Sequence, residues 1–304
     1  MANGLHPDIN NPNVFVLYRY HPSLVAATIF AVLFGISTLS HVYQLIRLRS
    51  AFMIPLAIGG FFETIGYIGR ILSSHDQWAL GPYIMQALLL LLAPALFAAS
   101  IYMVLGRVIL LTEGEQYSLI RQRWLTKIFV IGDILAFLIQ SAGGSILSGA
   151  DKDLDKLKLG EDIIIAGLFA QIAFFGFFIV VASVFQIRGR HHLSKLDSSS
   201  VPWKKFLYVL YVSSMFILVR SVFRAIEYLQ GNTGYLLKHE VFLYIFDAVL
   251  MFAVLAVMNV VHPGAISRLL KRKNDRGSLV ELVVPDTRDR SKDSAPLTTG
   301  ENFP

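Results

Sequence analysis

Charged side chains lie within three segments of this sequence that are otherwise apolar. In each segment they are separated by three, four or seven positions, a spacing that places side chains on one face of a helix. A carboxylate there can pair with an amine, and a guanidinium group can hold a phosphate or a carboxylate. The residues are Glu63 and Arg70, then Arg220, Arg224 and Glu227, and finally Glu240 and Asp247.

The depths of these residues along their segments can be compared at about 1.5 Å per helical residue. All seven fall between the middle and one end of the segments that contain them, and several uncharged polar residues fall at similar depths. The sequence therefore predicts one polar cluster. Its candidate lipid-binding residues are Glu63, Tyr67, Arg70, Gln86, Gln140, Arg220, Arg224, Glu227, Glu240 and Asp247, with Gln171 at a comparable depth.

Two interpretations of the cluster are open. In one, the arginines and carboxylates form ion pairs that fix the register of the helices. In the other, they line a polar cavity that receives the charged head group of a lipid or a small amphiphilic ligand. Ionisable groups within a membrane are costly and usually face the bundle interior or a wet cavity. Seven charges exceed what helix association should require, which favours the cavity, although the two arrangements can coexist.

These residues are positioned by apolar segments long enough to cross a bilayer. The chain has 304 residues, of which 55% are hydrophobic and 16% charged, against about a quarter charged in soluble domains. A span needs roughly 20 mostly apolar residues. Continuous rather than alternating apolar runs favour helices, so the sequence predicts an all-α bundle of seven transmembrane helices. The predicted spans are residues 23–46, 51–72, 82–105, 127–149, 162–187, 206–229 and 239–261.

The distribution of basic residues predicts the orientation of the bundle. The side with the loops after spans 1, 3 and 5 and the C-terminal tail carries 19 lysines and arginines, and the other side carries 5. Because basic residues accumulate in cytoplasmic loops, we predict an extracellular N-terminal segment (residues 1–22), a transmembrane domain (23–261) and a largely disordered, basic and polar cytoplasmic tail (262–304). On the fourth span, Ser141, Ser145 and Gly149 form a small-residue stripe, which predicts a close helix contact.

The sequence lacks the residues that several classes of enzyme and metal site require. There is no cysteine, so thiolate metal sites and cysteine nucleophiles are excluded, and no Walker motif indicates an ATPase. We expect no catalytic residues, no metal, no cofactor and no nucleic-acid partner. The pattern Ser37-x-x-x-His41 is one piece of an intramembrane metal hydrolase, but His41 and His262 are predicted at the opposite side of the membrane from His239, so three imidazoles would not meet.

Several short motifs occur in order along the spans. They are YRYHPS before span 1, His41, E-x-x-G-Y-x-x-R at 63–70, the Gln86 to Pro94 stretch with Ala98, Ala99 and Tyr102, Asp133, QSAGG at 140–144, R-x-x-x-R-x-x-E at 220–227 and H-E-x-x-x-Y-x-x-D at 239–247. In these pieces the sequence resembles the fungal RTA-like family, named for resistance to aminocholesterol and classed as lipid-translocating exporters. The resemblance covers about residues 18 to 265. It implies a seven-helix fungal protein, in the plasma membrane or another fungal membrane, that handles sphingoid bases and other lipids and gives tolerance to toxic amphiphiles.

The leading functional hypothesis is a protein that moves lipids between leaflets, or regulates that movement, with membrane lipids as its partners. A seven-helix receptor or sensor for an external lipid or sterol-like ligand is the alternative. The sequence lacks the D/E-R-Y and N-P-x-x-Y motifs of G-protein-coupled receptors, and span 7 has no lysine for a retinal Schiff base. An intramembrane metal hydrolase comes third, and the oligomeric state is open.

The charge asymmetry makes the orientation testable. Epitope tags at the two termini of the protein in intact cells should be accessible to external antibody at the N-terminus only. Permeabilisation should then reveal the C-terminal tag. The opposite pattern would overturn the orientation and every depth assigned from it.

Overall fold

A computed structural model describes residues 16–149, 154–196, 202–231 and 234–272. Within these ranges the chain is helical and contains no strand, and seven helices are long and apolar enough to cross a membrane. The predicted all-α, seven-span architecture is therefore confirmed. The first six spans are α1 (Leu24–Leu48), α2 (Ile54–His75), α3 (Leu80–Leu111), α4 (Gln122–Gly149), α5 (Leu154–Arg188) and α6 (Trp203–Leu229).

The seventh span, α7, covers residues 240–260 in three consecutive pieces. It begins with Glu240–Leu243, continues through a π-helical turn over Tyr244–Val249, and ends with Leu250–Val260. A π-turn inserts an extra residue into a helical turn and often occurs at functional sites. Short helices also lie at Arg190–Lys195 and Tyr235–Lys238.

Two predicted boundaries differ from the structure. Helix α5 starts at Leu154, so most of the polar segment predicted to connect spans 4 and 5 extends that helix instead. The predicted tail begins at residue 262, but residues 265–272 are helical, and Ile266 is fully buried in the main core. The rest of the predicted tail, and residues 1–15 of the predicted N-terminal segment, lie outside the described residues.

The helices form a closed ring in which neighbours along the chain pack against each other. Contacts run from α1 to α2 and onward to α7, which returns to α1, while α3 also packs against α6. Exposed apolar side chains line the outside, as on α1 at Val25, Ile29 and Val32. This arrangement suits lipid as the solvent, because hydrocarbon rather than water accommodates such a surface.

At the end of the bundle where α1 and α2 meet, α1 and α7 are joined by polar contacts. Asn259 Nδ2 donates to Ser37 Oγ over 2.7 Å, and Gln44 Nε2 donates to the Asn259 carbonyl over 3.2 Å. His41 Nε2 bonds the Leu255 carbonyl at 3.0 Å, which fixes Nε2 as the protonated nitrogen of that bond. These contacts hold α7 against α1 at this end.

Helices α4 and α5 approach each other closely through glycine. A Cβ atom added at Gly143 would lie 2.7 Å from the Gly160 carbonyl oxygen and 2.8 Å from the backbone nitrogen of Ile164. Neither backbone atom can move without separating the helices. The predicted Ser141, Ser145 and Gly149 stripe is therefore wrong as the contact face, since Ser145 and Gly149 are exposed.

The adjacent Gly144 provides a matched test of this contact, because a Cβ atom there would meet nothing within 4 Å. We expect Gly143→Ala to destabilise the protein by about 1–3 kcal/mol, the usual cost of overpacking, and Gly144→Ala to leave stability unchanged or slightly increased. Thermal unfolding of both variants in one detergent would measure the difference. Equal melting temperatures would show that the helices are not tightly packed at Gly143.

Candidate functional site

The charged residues gather at the other end of the bundle, where α2, α4 and α6 end and α3, α5 and α7 begin. Arg70 is fully buried there. Its Nη2 donates to Glu240 Oε1 over 2.6 Å and to the Tyr20 hydroxyl over 2.8 Å, and its Nε donates to the Tyr244 hydroxyl over 3.0 Å. The Ser23 amide donates to both Glu240 oxygens, at 2.9 and 3.0 Å. One ion pair thus joins α2, α7 and the segment before α1.

A stack of aromatic rings packs against the Arg70 side of this ion pair. The Arg70 guanidinium lies over the Tyr244 ring at 5.2 Å, a favourable cation–π geometry. Tyr67 packs between Tyr244 and Phe34, and the Tyr67 and Phe34 rings are nearly parallel at 12° with centroids 5.4 Å apart. Tyr67 therefore belongs to the packed core beneath Arg70 rather than to an open surface.

A second buried ion pair joins α6 to α7. Arg220 Nε lies 2.6 Å from Asp247 Oδ1, and the two side chains are 1% and 6% exposed. Arg220 Nη2 donates to the Leu90 carbonyl over 2.9 Å. That carbonyl is available because Pro94, four residues later inside α3, has no N–H to occupy it. The proline therefore provides an acceptor for a buried arginine on another helix.

A third ion pair lies within α6. Arg224 Nη1 lies 2.6 Å from Glu227 Oε2, one helical turn away. The Arg224 guanidinium also lies over the Tyr228 ring at 5.3 Å. The Arg224 side chain is 17% exposed, whereas those of Arg70 and Arg220 are at most 1% exposed.

Glu63 is the fourth carboxyl of the cluster and differs from the other three. It is 2% exposed, and its Oε1 has no hydrogen-bond partner. None of the described residues forms an ion pair with it, although Asp247 and Arg220 act on it electrostatically. Glu63 therefore lies behind the Arg220–Asp247 pair without a cation of its own.

A cavity of about 120 Å³ opens among these groups. Five of the ten predicted site residues line it: Arg70, Gln86, Arg224, Glu227 and Asp247. Four more contribute to the charge pairs or aromatic stack around it, namely Glu63, Tyr67, Arg220 and Glu240. The same groups therefore form ion pairs and surround a cavity.

Gln140 is the predicted residue that the structure places elsewhere. Its Nε2 donates to Gln171 Oε1 over 3.1 Å, so it joins α4 to α5, and it does not line the cavity. Its depth along α4 was predicted from residue spacing, which says nothing about the direction of the side chain.

The spacing of Glu240 and Asp247 predicted a shared helix face, whereas the structure gives the two carboxyls partners on different helices. Glu240 pairs with Arg70 of α2, whereas Asp247 pairs with Arg220 of α6. The π-turn at Tyr244–Val249 lies between the two carboxyls. Its i→i+5 hydrogen bonding turns the chain through a smaller angle per residue than an α-helix does, so the two side chains point to different neighbours.

Sequence reasoning missed the segment before α1 as part of the site. Tyr18, Arg19 and Tyr20 line the cavity, and the Tyr18 hydroxyl donates to Gln86 Oε1 over 2.9 Å. Burial raises the pKa of the Tyr18 and Tyr20 hydroxyls above its ordinary value, so both remain protonated donors at neutral pH. Two tyrosines directly before the first span were the available signal, since tyrosine favours the membrane interface.

The described part of the chain contains no group of three histidine, cysteine, aspartate or glutamate side chains placed to hold a metal ion. His41 and His262 do approach each other, with ring centroids 5.6 Å apart. However, His262 Nδ1 accepts from the Gly264 amide at 3.0 Å, which leaves the proton on the opposite nitrogen.

The Arg70–Glu240 pair can be tested by a double-mutant cycle. Glu240→Gln should destabilise the protein by about 3–5 kcal/mol, because it leaves a buried guanidinium unpaired. Adding Arg70→Met should recover part of that loss, since no buried charge then remains. Thermal unfolding of both single variants and the double variant would measure the coupling, and strictly additive losses would contradict an energetic link between the two residues.

Comparison with known proteins finds one family model and several fungal proteins that match this chain. A family model described as "RTA1 like protein" matches residues 56–269. Protoporphyrin uptake protein 1 of Saccharomyces cerevisiae is 37% identical over 281 residues, which cover 81% of this chain and 91% of that protein. Probable lipid transporter atnI of Emericella nidulans is 31% identical over 261 residues, covering 82% and 68%.

A more distant relative is sphingoid long-chain base transporter RSB1 of S. cerevisiae, which is 25% identical over 276 residues, covering 80% of this chain and 72% of that protein. No solved structure matches the chain significantly. The family model covers most of the transmembrane bundle, and all ten predicted site residues, from Glu63 to Asp247, lie within the residues that it matches. The chain therefore belongs to the RTA1-like family of membrane proteins.

Proposed function

We propose that this protein moves long-chain amphiphilic lipids between the leaflets of a fungal membrane, or regulates that movement, by holding the lipid head group in the cavity. The observation that carries the proposal is a polar cavity at one end of an otherwise apolar bundle. Two relatives are named as a lipid transporter and a sphingoid long-chain base transporter, which supports a lipid as the ligand class.

The size of the cavity favours a head group over a whole molecule. Its volume is about 120 Å³, whereas pockets for drug-sized ligands are about 300–1,000 Å³. A head group with an amine and one or two hydroxyls is small enough, and its hydrocarbon chain would stay in the surrounding lipid. A tetrapyrrole, the ligand class named for one relative, would require a much larger opening.

The lining has the chemistry for a head group that bears an amine. Asp247 and Glu227 supply carboxylates, and Arg224 supplies a cation for a phosphate. Neutral hydrogen-bonding groups surround them, including the Tyr18 hydroxyl and the Gln86 amide. A sphingoid base offers an ammonium group for a carboxylate and hydroxyls for the phenols and amide.

The predicted orientation puts this cavity at the external end of the bundle. A head group held there would be exchanged with the outer leaflet, as export to that leaflet requires, and the plasma membrane is the membrane we propose. Since the sequence has no Walker motif, the movement would need an ion gradient, a partner protein or equilibration.

Blocking the cavity without changing its charges would test the proposal. Ala87 lines the cavity, and Ala87→Trp would introduce a side chain comparable in bulk to the free volume. In liposomes containing the purified protein, we expect this variant to lower the translocation of a fluorescent sphingoid base at least about tenfold, equivalent to about 1.4 kcal/mol.

The matched control is Leu88→Trp, because Leu88 is the next residue of α3, is 42% exposed and does not line the cavity. It should translocate at the wild-type rate. Equal loss in both variants would count against the cavity as the lipid site. Ligand binding by the wild-type protein without any translocation would instead assign it the role of a lipid sensor.

A further inference from the structure

The three buried or half-buried arginines of the cluster each have one carboxylate within 2.6 Å. These pairs use Glu240, Asp247 and Glu227 and leave Glu63 as the additional acid. With all seven groups charged, these residues would carry one excess negative charge, and Arg19 and Glu161, which also line the cavity, are of opposite sign and leave that excess unchanged. An isolated buried carboxylate is among the costliest groups to desolvate, so the arrangement calls for one more cation.

The surroundings of Glu63 show where that cation could come from. The ionisable groups that act on Glu63 are Asp247 from α7, Arg220 from α6, and Tyr67 one turn along its own helix. Helices α1 and α3 also pack against α2 but bring no ionisable side chain to this carboxyl. Glu63 does not line the cavity, so a ligand cannot reach it directly, whereas a proton can be held on the carboxyl itself.

Arg220 acts on two carboxyls, through its ion pair with Asp247 and electrostatically on Glu63. Its Nε is bonded to Asp247, while its Nη1 is buried and has no hydrogen-bond partner. Glu63 Oε1 is likewise buried and has no partner. A spare donor and a spare acceptor therefore belong to two groups that already interact electrostatically. Asp247, in contrast to Glu63, lines the cavity and can meet a ligand.

From this geometry we propose that Glu63 is a proton-binding site whose proton is exchanged for the ammonium group of a cationic lipid at Asp247. This inference rests on the proposed function. Before exchange, Glu63 is a neutral carboxylic acid and Arg220 pairs with Asp247. After exchange, the ligand ammonium pairs with Asp247, Arg220 pairs with the Glu63 carboxylate, and the proton has passed to water.

The exchange leaves the charge of the buried cluster unchanged. One positive charge enters with the ligand and one leaves as the proton, so the cluster is neutral in both states and avoids the cost of an unpaired buried charge. A proton that returns to Glu63 sends Arg220 back to Asp247 and releases the ammonium. An acidic compartment on the cavity side would therefore drive release of a cationic lipid there.

Proton release on binding tests the exchange directly. The protein would be placed in nanodiscs and titrated with N,N,N-trimethylsphinganine, whose fixed positive charge does not itself titrate. In weakly buffered solution with a pH indicator, we expect one proton released per ligand bound. The affinity should rise about tenfold per pH unit while free Glu63 is protonated, and level off above that range, by thermodynamic linkage.

Two variants separate Glu63 from other buried acids. Glu63→Gln resembles the protonated acid, so it should fold but bind the ligand more weakly, without proton release and without the pH dependence. Asp133→Asn is the matched control. Asp133 is a buried carboxyl on α4 that accepts from the Tyr102 hydroxyl at 2.9 Å, outside the cluster, and its replacement should leave proton release intact.

The outcomes distinguish the two proposals. If the wild-type protein binds the ligand without releasing a proton, or if Glu63→Gln still releases one, the exchange is overturned and the head-group cavity stands. If the wild-type protein binds neither this ligand nor sphinganine, the proposed function fails as well.

Discussion

The pairing of buried charge is the constraint on which this bundle depends. Arg70 and Arg220 are at most 1% exposed, and a guanidinium group cannot lose its charge in a protein. Each must therefore find a carboxylate on a neighbouring helix, and both find it on α7. The seventh helix is held between α2 on one side and α6 on the other by ion pairs of the same length, 2.6 Å. Its opposite end is fixed to α1 through Asn259. By comparison, α4 and α5 meet through close backbone contact at Gly143 and need no charge.

An interruption in the backbone hydrogen bonding of α3 provides a hydrogen-bond acceptor that a regular helix would not offer. A buried arginine has five N–H donors, and one carboxylate cannot accept from all of them. In an uninterrupted α3 the Leu90 carbonyl would be occupied by the residue four positions later; because that residue is Pro94, the carbonyl accepts from Arg220 instead. Proline inside a membrane helix is usually explained by a kink. Here it also provides an acceptor at the depth where a charge is buried, so a local loss of one hydrogen bond in α3 stabilises a contact with α6.

Much of this architecture could be predicted from the sequence because separate signals agree. Long apolar runs gave the seven spans, and helical spacing brought nine of the ten predicted residues into one region. The directions in which individual side chains point were harder to predict from the sequence. Gln140 has the predicted depth but faces Gln171, because residue counting measures distance along a helix and not rotation about it. Glu240 and Asp247 were placed on one face because nothing in their spacing signals a π-turn. The fold of Tyr18 and Tyr20 over the cavity depends on contacts with Gln86 and Arg70, which are distant in sequence.

The π-turn in α7 serves two ion pairs at once. Tyr244, its first residue, accepts a hydrogen bond from Arg70, and Asp247, within the same turn, pairs with Arg220. Successive residues of a helix are rotated by about 100° because a turn holds 3.6 residues. Deleting one residue from Tyr244–Val249 would therefore rotate Asp247 relative to Glu240. The links of α7 to α2 and to α6 would then be disturbed together, although the two ion pairs share no residue.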